Sequence, residues 1–435
     1  MKPSTDGLAN SARTDSSGVR LKLQARATMP LHRQSASAAA ACALDQAAEP
    51  APTAPVAAAD EAWLQSFPLI VHSHLRWDFV WQRPQQILSR LAANHPVLFI
   101  EEPMAGDAPG LDVSEPVANV VRVVPRLPAP CLGDADREAK TILPLVQQAL
   151  RDHPLMAGRF EQPVQWFYSP MTAPVLLGAF GARGVVYDCM DELANFRFAP
   201  TDIGVRERFL LARADVVFTG GRQLFEAKSR AHDNVHFFGC GVDVAHFGRA
   251  RDADLPVSPA LAELPRPLLG YFGVIDERLD YPLIAALAER FPDATVVMAG
   301  PLAKVEREQL PAHANIRWLG QRDYQELPAL VKGFDVCLMP FALNEATRYI
   351  NPTKTLEYLA AGKPVVSTAV PDVVCNFGEV VQVADDADAF VAAVRACLQK
   401  AEPERRARGI ERAEAATWDA TVAAMRGHVQ AGVRP

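Results

Sequence analysis

The sequence lacks three features that would each have pointed to a particular class of protein. Its apolar runs, such as 68–71 and 336–343, fall far short of the roughly 20 residues that span a bilayer. It has no excess of positive charge, since 44 Lys and Arg face 51 Asp and Glu for a formal net charge of -7, so we do not expect nucleic acid as a partner. Its seven cysteines form no Cys-x-x-Cys pair, so we expect reduced thiols in a cytoplasmic protein.

The sequence does contain enough apolar material for two or three domains. Of its 435 residues, 49% are hydrophobic and 22% are charged, which is the balance of a globular chain. The first 62 residues are rich in Ala, Ser and Pro and show no sustained hydrophobic period, so we predict a disordered tail there. Beyond it we predict a first lobe over 63–243, a linker over 244–267, a second lobe over 268–401 and a helical segment over 402–435.

From Phe67 onward, short apolar runs alternate with helical patterns, which is typical of buried parallel strands and their crossover helices. The strands predicted for the first lobe are 69–72, 97–100, 120–124, 165–168, 185–187, 216–219 and 235–238, and those for the second are 268–272, 295–299, 316–319, 336–339, 364–367 and 380–383. Two such series predict an α/β fold with two Rossmann-like lobes that face each other across a cleft. The active site should lie at the carboxyl ends of the strands.

The segment 351–366 carries the clearest chemical signal. Pro352 suits the first turn of a helix, and the backbone N–H groups near Thr353 have no intrahelical partners, so this end can receive a phosphate. Lys354 adds a cation there. Glu357 lies one turn further on the same side, where its carboxylate could accept hydrogen bonds from a ribose diol. An ordinary helix with a surface Lys and Glu is the alternative.

The complete 351–366 string resembles the donor-binding segment of nucleotide-sugar glycosyltransferases with the GT-B fold, and specifically the large retaining family called glycosyltransferase group 1. Further segments resemble that family in the same order along the chain, namely 238–243, 269–278, 297–301, 316–320 and 324–340. Residues 238–243 resemble the signature that closes the first lobe, with Cys240 where Asn is usual. Residues 269–278 resemble the first strand and turn of the donor lobe, and 297–301 resemble a later strand end.

This resemblance implies roles for single residues of the second lobe. Gly273 would let the backbone approach the donor diphosphate, and Arg278 and Lys354 would neutralise it as catalytic groups. Asn351, Thr353 and Glu357 would bind the donor. The family generally needs no metal, so we expect neither a metal nor a cofactor.

One position departs from the family pattern. A Glu commonly precedes the Glu at position 357 with seven residues between them, and Tyr349 stands there instead. The first acidic residue contacts the donor sugar in the family, so its replacement leaves open which sugar is used and whether its configuration is retained. Glu345 could substitute if its loop folds over the site.

The first lobe places polar and aromatic side chains directly after its first strand, and this segment resembles a subgroup of bacterial envelope and exopolysaccharide glycosyltransferases. Trp77 and Trp81 could stack on a sugar ring, and Arg83 could reach the donor phosphate. His72 or His74 could contact the transferred sugar, and we take His74 as catalytic. The alternative is that the tryptophans pack between the lobes and the histidines cap the strand.

A second polar loop follows the strand 185–187 and resembles the cleft-facing loop of the same subgroup. Its carboxylates, Asp188 and Asp191, could read acceptor hydroxyls. Their spacing also resembles a metal pair, but no further ligand signature accompanies them.

These residues predict a retaining glycosyltransferase that moves a sugar from a nucleotide diphosphate, with UDP expected, to a glycan or lipid-linked glycan. Partners would be the donor and this acceptor, with peripheral contact at the inner face of the cell membrane left open. Two alternatives stay open, a nucleotide-sugar epimerase and a catalytically silent nucleotide-sugar-binding module. An NAD-dependent oxidoreductase is not expected, because no Gly-x-Gly-x-x-Gly follows an early strand.

Overall fold

The computed structural model describes residues 58–433. Residues 1–57 of the predicted disordered tail therefore lie outside the described part of the chain. The tail was predicted to extend to residue 62, but a helix, α1, already begins at Ala58 and runs over Ala58–Gln65.

The first lobe is built on a nine-stranded sheet. Its strands are β1 (Leu69–His72), β2 (Val97–Ile100), β3 (Met104–Ala105), β4 (Gly110–Val117), β5 (Val120–Leu127), β6 (Val164–Phe167), β7 (Gly184–Cys189), β8 (Val216–Thr219) and β9 (Val235–Phe237). They lie in the order β3-β5-β2-β1-β6-β7-β8-β9, and β4 pairs with β5. All pairings are parallel except that of β4 with β5, the hairpin that sequence periodicity did not predict. The central strands β1, β2, β6, β7 and β8 are buried along their whole length, as apolar runs covered on both faces should be.

Helices follow the strands of this lobe as crossover connections. They are α2 (Arg83–Leu91), α3 (Ala135–Asp152), α4 (Ala173–Leu176), α5 (Ile203–Leu211) and α6 (Arg222–Lys228). The start of α2 is fixed locally, because Pro84 stands in its first turn and Gln82 forms a capping box with Gln85.

The second lobe has a six-stranded, fully parallel sheet. Its strands are β10 (Leu268–Phe272), β11 (Thr295–Ala299), β12 (Ile316–Gly320), β13 (Val336–Met339), β14 (Val365–Thr368) and β15 (Gln382–Ala384). Their order, β12-β11-β10-β13-β14-β15, is the doubly wound order in which the chain reverses direction beside the first strand. The predicted α/β class with two Rossmann-like lobes is confirmed.

The remaining helices cover the second sheet and join the lobes. They are α7 (Val244–Gly248), α8 (Tyr281–Arg290), α9 (Leu327–Gly333), α10 (Lys354–Ala360), α11 (Pro371–Phe377), α12 (Ala387–Gln399), α13 (Pro403–Glu414) and α14 (Trp418–Gly432). The segment predicted as a linker therefore contains a short helix, α7.

The two C-terminal helices belong to different cores. Gly409 of α13 lies against Leu359 of α10, where an added Cβ would come within 2.8 Å of the leucine side chain. In contrast, Trp418 and Met425 of α14 are buried in the core of the first lobe. Helix α14 thus packs on the first lobe, and the passage from α13 to α14 connects the two lobes a second time.

Five cysteines within residues 58–433, at positions 131, 189, 240, 337 and 397, are free thiols. No helix within residues 58–433 is long and apolar enough to cross a membrane.

Candidate functional site

A cavity lies between the carboxyl ends of the two sheets and is lined by both lobes. The first lobe contributes Val80, Trp81, Gln82, Arg83, Met190, Asp191, Gly220 and Cys240, and the second contributes a larger set that includes Tyr271, Gly273, Arg278, Gly300, Arg322, Tyr324, Asn351, Thr353, Lys354 and Glu357. The structure therefore brings together all six residues predicted for donor binding and diphosphate stabilisation in the second lobe. Of the predicted first-lobe residues, it adds Arg83 and Asp191.

Two glycines allow a loop of the second lobe to approach Lys354 closely. Gly273 follows β10 with a φ of +141°, and a Cβ there would lie 1.9 Å from Cε of Lys354. Gly300 follows β11 with a φ of +155°, and a Cβ there would lie 1.8 Å from the carbonyl oxygen of Gly273. Any residue larger than glycine would therefore clash at both positions. The end of the Lys354 side chain therefore lies directly against the backbone of Gly273, which no side chain covers.

Lys354 and Glu357 have free polar ends. Among residues 58–433, neither the Lys354 ammonium nor the Glu357 carboxylate has a hydrogen-bond or ion-pair partner. Lys354 is partly buried, with its ammonium 5.7 Å from the centre of the Tyr271 ring, and Glu357 is 7% exposed. Burial lowers the pKa of Lys354, and the carboxylate of Glu357 opposes this shift. Burial also raises the pKa of Glu357 to about 7, against the charge of Lys354. An anion and a diol entering the cavity would supply the partners that both groups lack.

Arg278 is held on one side and open on the other. Its Nε donates to both carboxylate oxygens of Asp276 at 3.0 Å, and its Nη2 donates to Oδ2 at 2.6 Å. Although burial acts in the opposite direction, Asp276 raises the pKa of the guanidinium well above its usual value. Within the described residues, Nη1 donates to no group. A fixed cation with one unused nitrogen is suited to a phosphate oxygen.

Cys240 joins the first lobe to the donor segment of the second. Its Sγ donates to the carbonyl oxygen of Asn351 at 3.0 Å, and the hydroxyl of Thr353 donates to this Sγ at 3.3 Å. The Thr353 hydroxyl is therefore engaged by a thiol. The unusual cysteine of the 238–243 segment occupies a structural position between the lobes.

Arg83 and Asp188 bind each other. Nε and Nη2 of Arg83 donate to the Asp188 carboxylate at 2.9–3.2 Å, and Nη1 donates to the carbonyl oxygen of Phe238 at 2.8 Å. The side chains are 4% and 0% exposed. The expected contacts of Arg83 with a donor phosphate and of Asp188 with acceptor hydroxyls need correction, because this buried pair already uses those groups to brace the lobe.

The aromatic residues after β1 differ in their surroundings. Trp77 is 4% exposed and packs edge-on against Phe99, with ring centroids 5.1 Å apart, so the expectation that it stacks on a sugar was wrong. Trp81 lines the cavity instead, with its ring centroid 5.9 Å from that of Tyr324. The alternative prediction, tryptophans packed between the lobes, fits the contact of Trp81 with Tyr324 but not Trp77, which lies in the core of the first lobe.

His72 and His74 line a different pocket. It has a volume of about 990 Å³, lies within the first lobe and shares no lining residue with the cavity between the lobes. His72 stacks on Phe167 with centroids 4.5 Å apart, and burial lowers its pKa to about 3. Burial and the charge of Lys304 lower the pKa of His74 to about 4. The structure does not bring His74, predicted as catalytic, to the wall that carries Lys354.

The position that departs from the family pattern faces the first lobe. The ring of Tyr349 packs against the first-lobe core that contains Leu210 and Leu224. Glu345, considered as a substitute, is 76% exposed and pairs with Arg348 at 3.9 Å. Neither Tyr349 nor Glu345 lines the cavity.

Sequence reasoning missed several residues of the site. Asp276 binds Arg278, and its position two residues before Arg278 in the segment 269–278 could have indicated this ion pair. Gln86 and Tyr324 connect the lobes, since Nε2 of Gln86 donates to the Tyr324 hydroxyl at 2.9 Å. No sequence signal links two residues that lie so far apart in the chain. No group of three or more His, Cys, Asp or Glu in residues 58–433 is placed to hold a metal ion.

The fold and this cavity define the class of the chain, a GT-B protein with two facing Rossmann-like lobes. Solved structures with the same arrangement include a trehalose-6-phosphate structure from E. coli bound with UDP-2-fluoro glucose, with a TM-score of 0.60, 15% identity and coverage of 83% of this chain and 99% of that one. A UDP-forming trehalose-phosphate synthase from Burkholderia xenovorans has a TM-score of 0.60, 13% identity and coverage of 84% and 98%. At these identities the likeness shows the fold alone.

Sequence comparison finds a family match in the second lobe. Residues 266–400 match the model of the family described as glycosyl transferases group 1. A Bacillus subtilis (strain 168) protein named for a glycosyltransferase of teichuronic acid biosynthesis, TuaH, is 28% identical over 222 residues, which are 47% of this chain. The match spans 55% of the length of that relative. The predicted resemblance to this family is confirmed over the second lobe.

Proposed function

We propose that the protein is a glycosyltransferase that moves a sugar from a nucleotide diphosphate, UDP in our proposal, to a glycan or lipid-linked glycan acceptor. One observation carries this function. The Lys354 ammonium and Nη1 of Arg278 have no hydrogen-bond or ion-pair partner in residues 58–433, and both residues line the same cavity as the close-packed glycine Gly273. Two cations beside open backbone suit a diphosphate, and no metal is needed to neutralise it.

The chemical step in this proposal is loss of the diphosphate. Negative charge grows on its oxygens as the bond to the sugar breaks, and groups already oriented in a buried site stabilise such charge strongly. Arg278 is oriented by Asp276, and Lys354 is positioned against Gly273. For a retaining course, the departing phosphate oxygen takes the proton of the acceptor hydroxyl, so no separate carboxylate base is required.

Glu357 is the proposed ribose contact. Its free carboxylate lies one helical turn beyond Lys354, and each of its oxygens can accept a hydroxyl. UDP as the nucleotide is supported by the E. coli structure bound with UDP-2-fluoro glucose and by the UDP-forming synthase from Burkholderia xenovorans. The cavity measures about 180 Å³, below the roughly 300–1,000 Å³ of typical small-molecule sites. The lobes must therefore separate to admit a donor and close over it.

The acceptor is proposed to enter from the first lobe. The pocket of about 990 Å³ beside His72 and His74 is large enough for several sugar units, and the pKa values of both histidines are low enough to keep them neutral at physiological pH. The two neutral histidines join acidic and basic lining side chains such as Glu101, Asp136 and Arg206, and the hydroxyl groups of a glycan can form hydrogen bonds with such a wall. The name of the Bacillus subtilis relative supports an envelope polysaccharide as its class. The prediction of a cytoplasmic protein with peripheral membrane contact stays part of this proposal.

The test is a calorimetric screen of UDP-, GDP- and ADP-sugars, followed by chromatography of the released nucleotide. We expect one nucleotide sugar to bind and to lose its nucleotide slowly, and Lys354→Ala to abolish both effects. Lys400→Ala, an exposed lysine outside the cavity, is the matched control and should behave like the wild type. Lys354→Ala with wild-type turnover would contradict the proposal. Binding without turnover across many acceptors would indicate a silent binding module, and donor conversion without acceptor would indicate an epimerase.

A further inference from the structure

Few carboxylates line the cavity between the lobes. Among its lining residues only Asp191 and Glu357 are acidic, one from each lobe. Two further acidic side chains that contact lining residues are engaged, since Asp276 binds Arg278 and Asp188 binds Arg83. Glu357 follows Lys354 on the same helix and is accounted for by the ribose. Asp191 is left without a role.

The loop that carries Asp191 is rigidly held. The backbone oxygen of Asp191 accepts hydrogen bonds from the Leu193 N–H at 3.1 Å and from Sγ of Cys189 at 3.5 Å. The next side chain, Glu192, accepts from Nζ of Lys228 at 2.9 Å. On the other side, a Cβ on Gly220 would lie 2.8 Å from the carbonyl oxygen of Met190.

The same lysine anchors this loop to the body of the lobe. Nζ of Lys228 also binds the Glu207 carboxylate at 2.7 Å, and all three side chains of this cluster are at most 16% exposed. The loop therefore has a fixed position, while the Asp191 carboxylate itself has no hydrogen-bond or ion-pair partner among residues 58–433. A held backbone with a free carboxylate is the arrangement of a ligand contact.

Charges around Asp191 locate it within the cavity. Burial raises the pKa of this carboxyl to about 6, and the opposing charge that acts on it most strongly is that of Arg278, followed by Arg83 and Lys304. Asp276 acts in the same direction as burial. Asp191 and Arg278 line the same cavity, Asp191 from the first lobe and Arg278 from the second.

The chemistry of a carboxylate restricts what can bind there. It repels a phosphate and accepts hydrogen bonds, so its ligand must be a donor of neutral hydroxyl groups. A diphosphate bound by Arg278 and Lys354 would direct its attached sugar toward the first-lobe wall, where Asp191 is the acidic residue. Asp191 does not line the acceptor pocket of His72 and His74.

We propose that Asp191 accepts hydrogen bonds from hydroxyl groups of the transferred sugar and so determines which sugar the protein uses. This inference rests on the proposed function. It changes the role of Asp191 from the expected acceptor contact to a contact with the donor.

The experiment compares a nucleotide sugar with its free nucleoside diphosphate. UDP-glucose and UDP, or the best pair from the screen above, are titrated into the wild type, Asp191→Ala and Asp191→Asn. We expect UDP affinity to stay within about twofold, whereas affinity for the nucleotide sugar falls about 10- to 100-fold, as loss of a hydrogen bond to a charged group predicts. Unchanged UDP binding also shows that the variants fold. Asp385→Ala, an exposed aspartate, is the matched control.

Deoxy donors make the test specific. Removing the sugar hydroxyl that binds Asp191 should weaken binding to the wild type by the same factor as Asp191→Ala, and should have no further effect on that variant. Equal loss of UDP and nucleotide-sugar binding, or deoxy donors that the variant still discriminates as the wild type does, would overturn the inference alone. A wild type that binds no nucleotide sugar would overturn the proposed function and this inference with it.

Discussion

The two lobes use their charged residues differently. In the second lobe, Lys354, Glu357 and one nitrogen of Arg278 keep free ends toward the cavity. In the first lobe, Arg83 and Asp188 stand at equally promising positions after a strand, yet they are buried against each other. Residue type and a place at a strand end therefore do not distinguish a ligand contact from an internal brace. The distinction lies in whether the folded chain itself supplies a partner.

Removing one partner of the buried Arg83–Asp188 ion pair should have the largest effect on the free energy of unfolding. Asp188→Ala leaves the Arg83 guanidinium buried without its carboxylate, so we expect the free energy of unfolding to fall by about 3–5 kcal/mol. Lys354→Ala should change it by about 1 kcal/mol or less, because Lys354 has no partner to lose. Chemical denaturation of both variants measures this difference. The double variant Arg83→Met with Asp188→Leu should recover much of the loss, and a loss as large as that of Asp188→Ala would contradict the account.

The close approach of Gly273 to Lys354 can be broken with one methyl group. In Gly273→Ala the new Cβ would take the place of the lysine Cε, so the ammonium must move away from the diphosphate position. We expect affinity for the nucleotide sugar to fall about 100-fold, within the range found for loss of a well-placed charged contact. Calorimetry measures it.

The control for this variant is Gly158→Ala. Gly158 also has a positive φ, +70°, but a Cβ there meets nothing within 4 Å. It imposes backbone strain of a similar kind without displacing a ligand group. Equal effects of the two substitutions on donor binding would mean that strain, and not the position of Lys354, is responsible.

The sequence predicted the sheets better than it predicted the site. Strands such as 69–72 and 268–272 are buried on both faces, so their sequences are continuous apolar runs that can be recognised directly. The hairpin β4–β5 was missed because its first strand is largely exposed and carries no apolar pattern. In the site, the 351–366 motif predicted Lys354 and Glu357 because local helix geometry relates them. The pairing of Arg83 with Asp188 spans 105 residues, and no local pattern encodes it.

A change of pH tests whether the free carboxylate of Glu357 binds the donor. Its pKa is raised to about 7, so the charged form is lost as the pH falls through 7. If the ribose diol binds the charged form, protonation competes with binding. Affinity for the nucleotide sugar should then be constant above about pH 8 and fall by up to about tenfold per pH unit below 7. Calorimetry between pH 6.5 and 8.5 covers this change, in a range that stays above the pKa of about 6 at Asp191.

Glu357→Gln separates this effect from general changes in the protein. The amide is neutral at every pH, so the variant should bind about tenfold more weakly at pH 8, by the difference between charged and neutral hydrogen bonds, and its affinity should no longer change between pH 6.5 and 8.5. The neighbouring charge that faces Glu357 is that of Lys354, whose pKa is lowered by burial against the opposing effect of the Glu357 carboxylate. A variant that keeps the full wild-type pH dependence would assign the titration to another group, and Glu357 would then resemble Asp188, a buried carboxylate with an internal role.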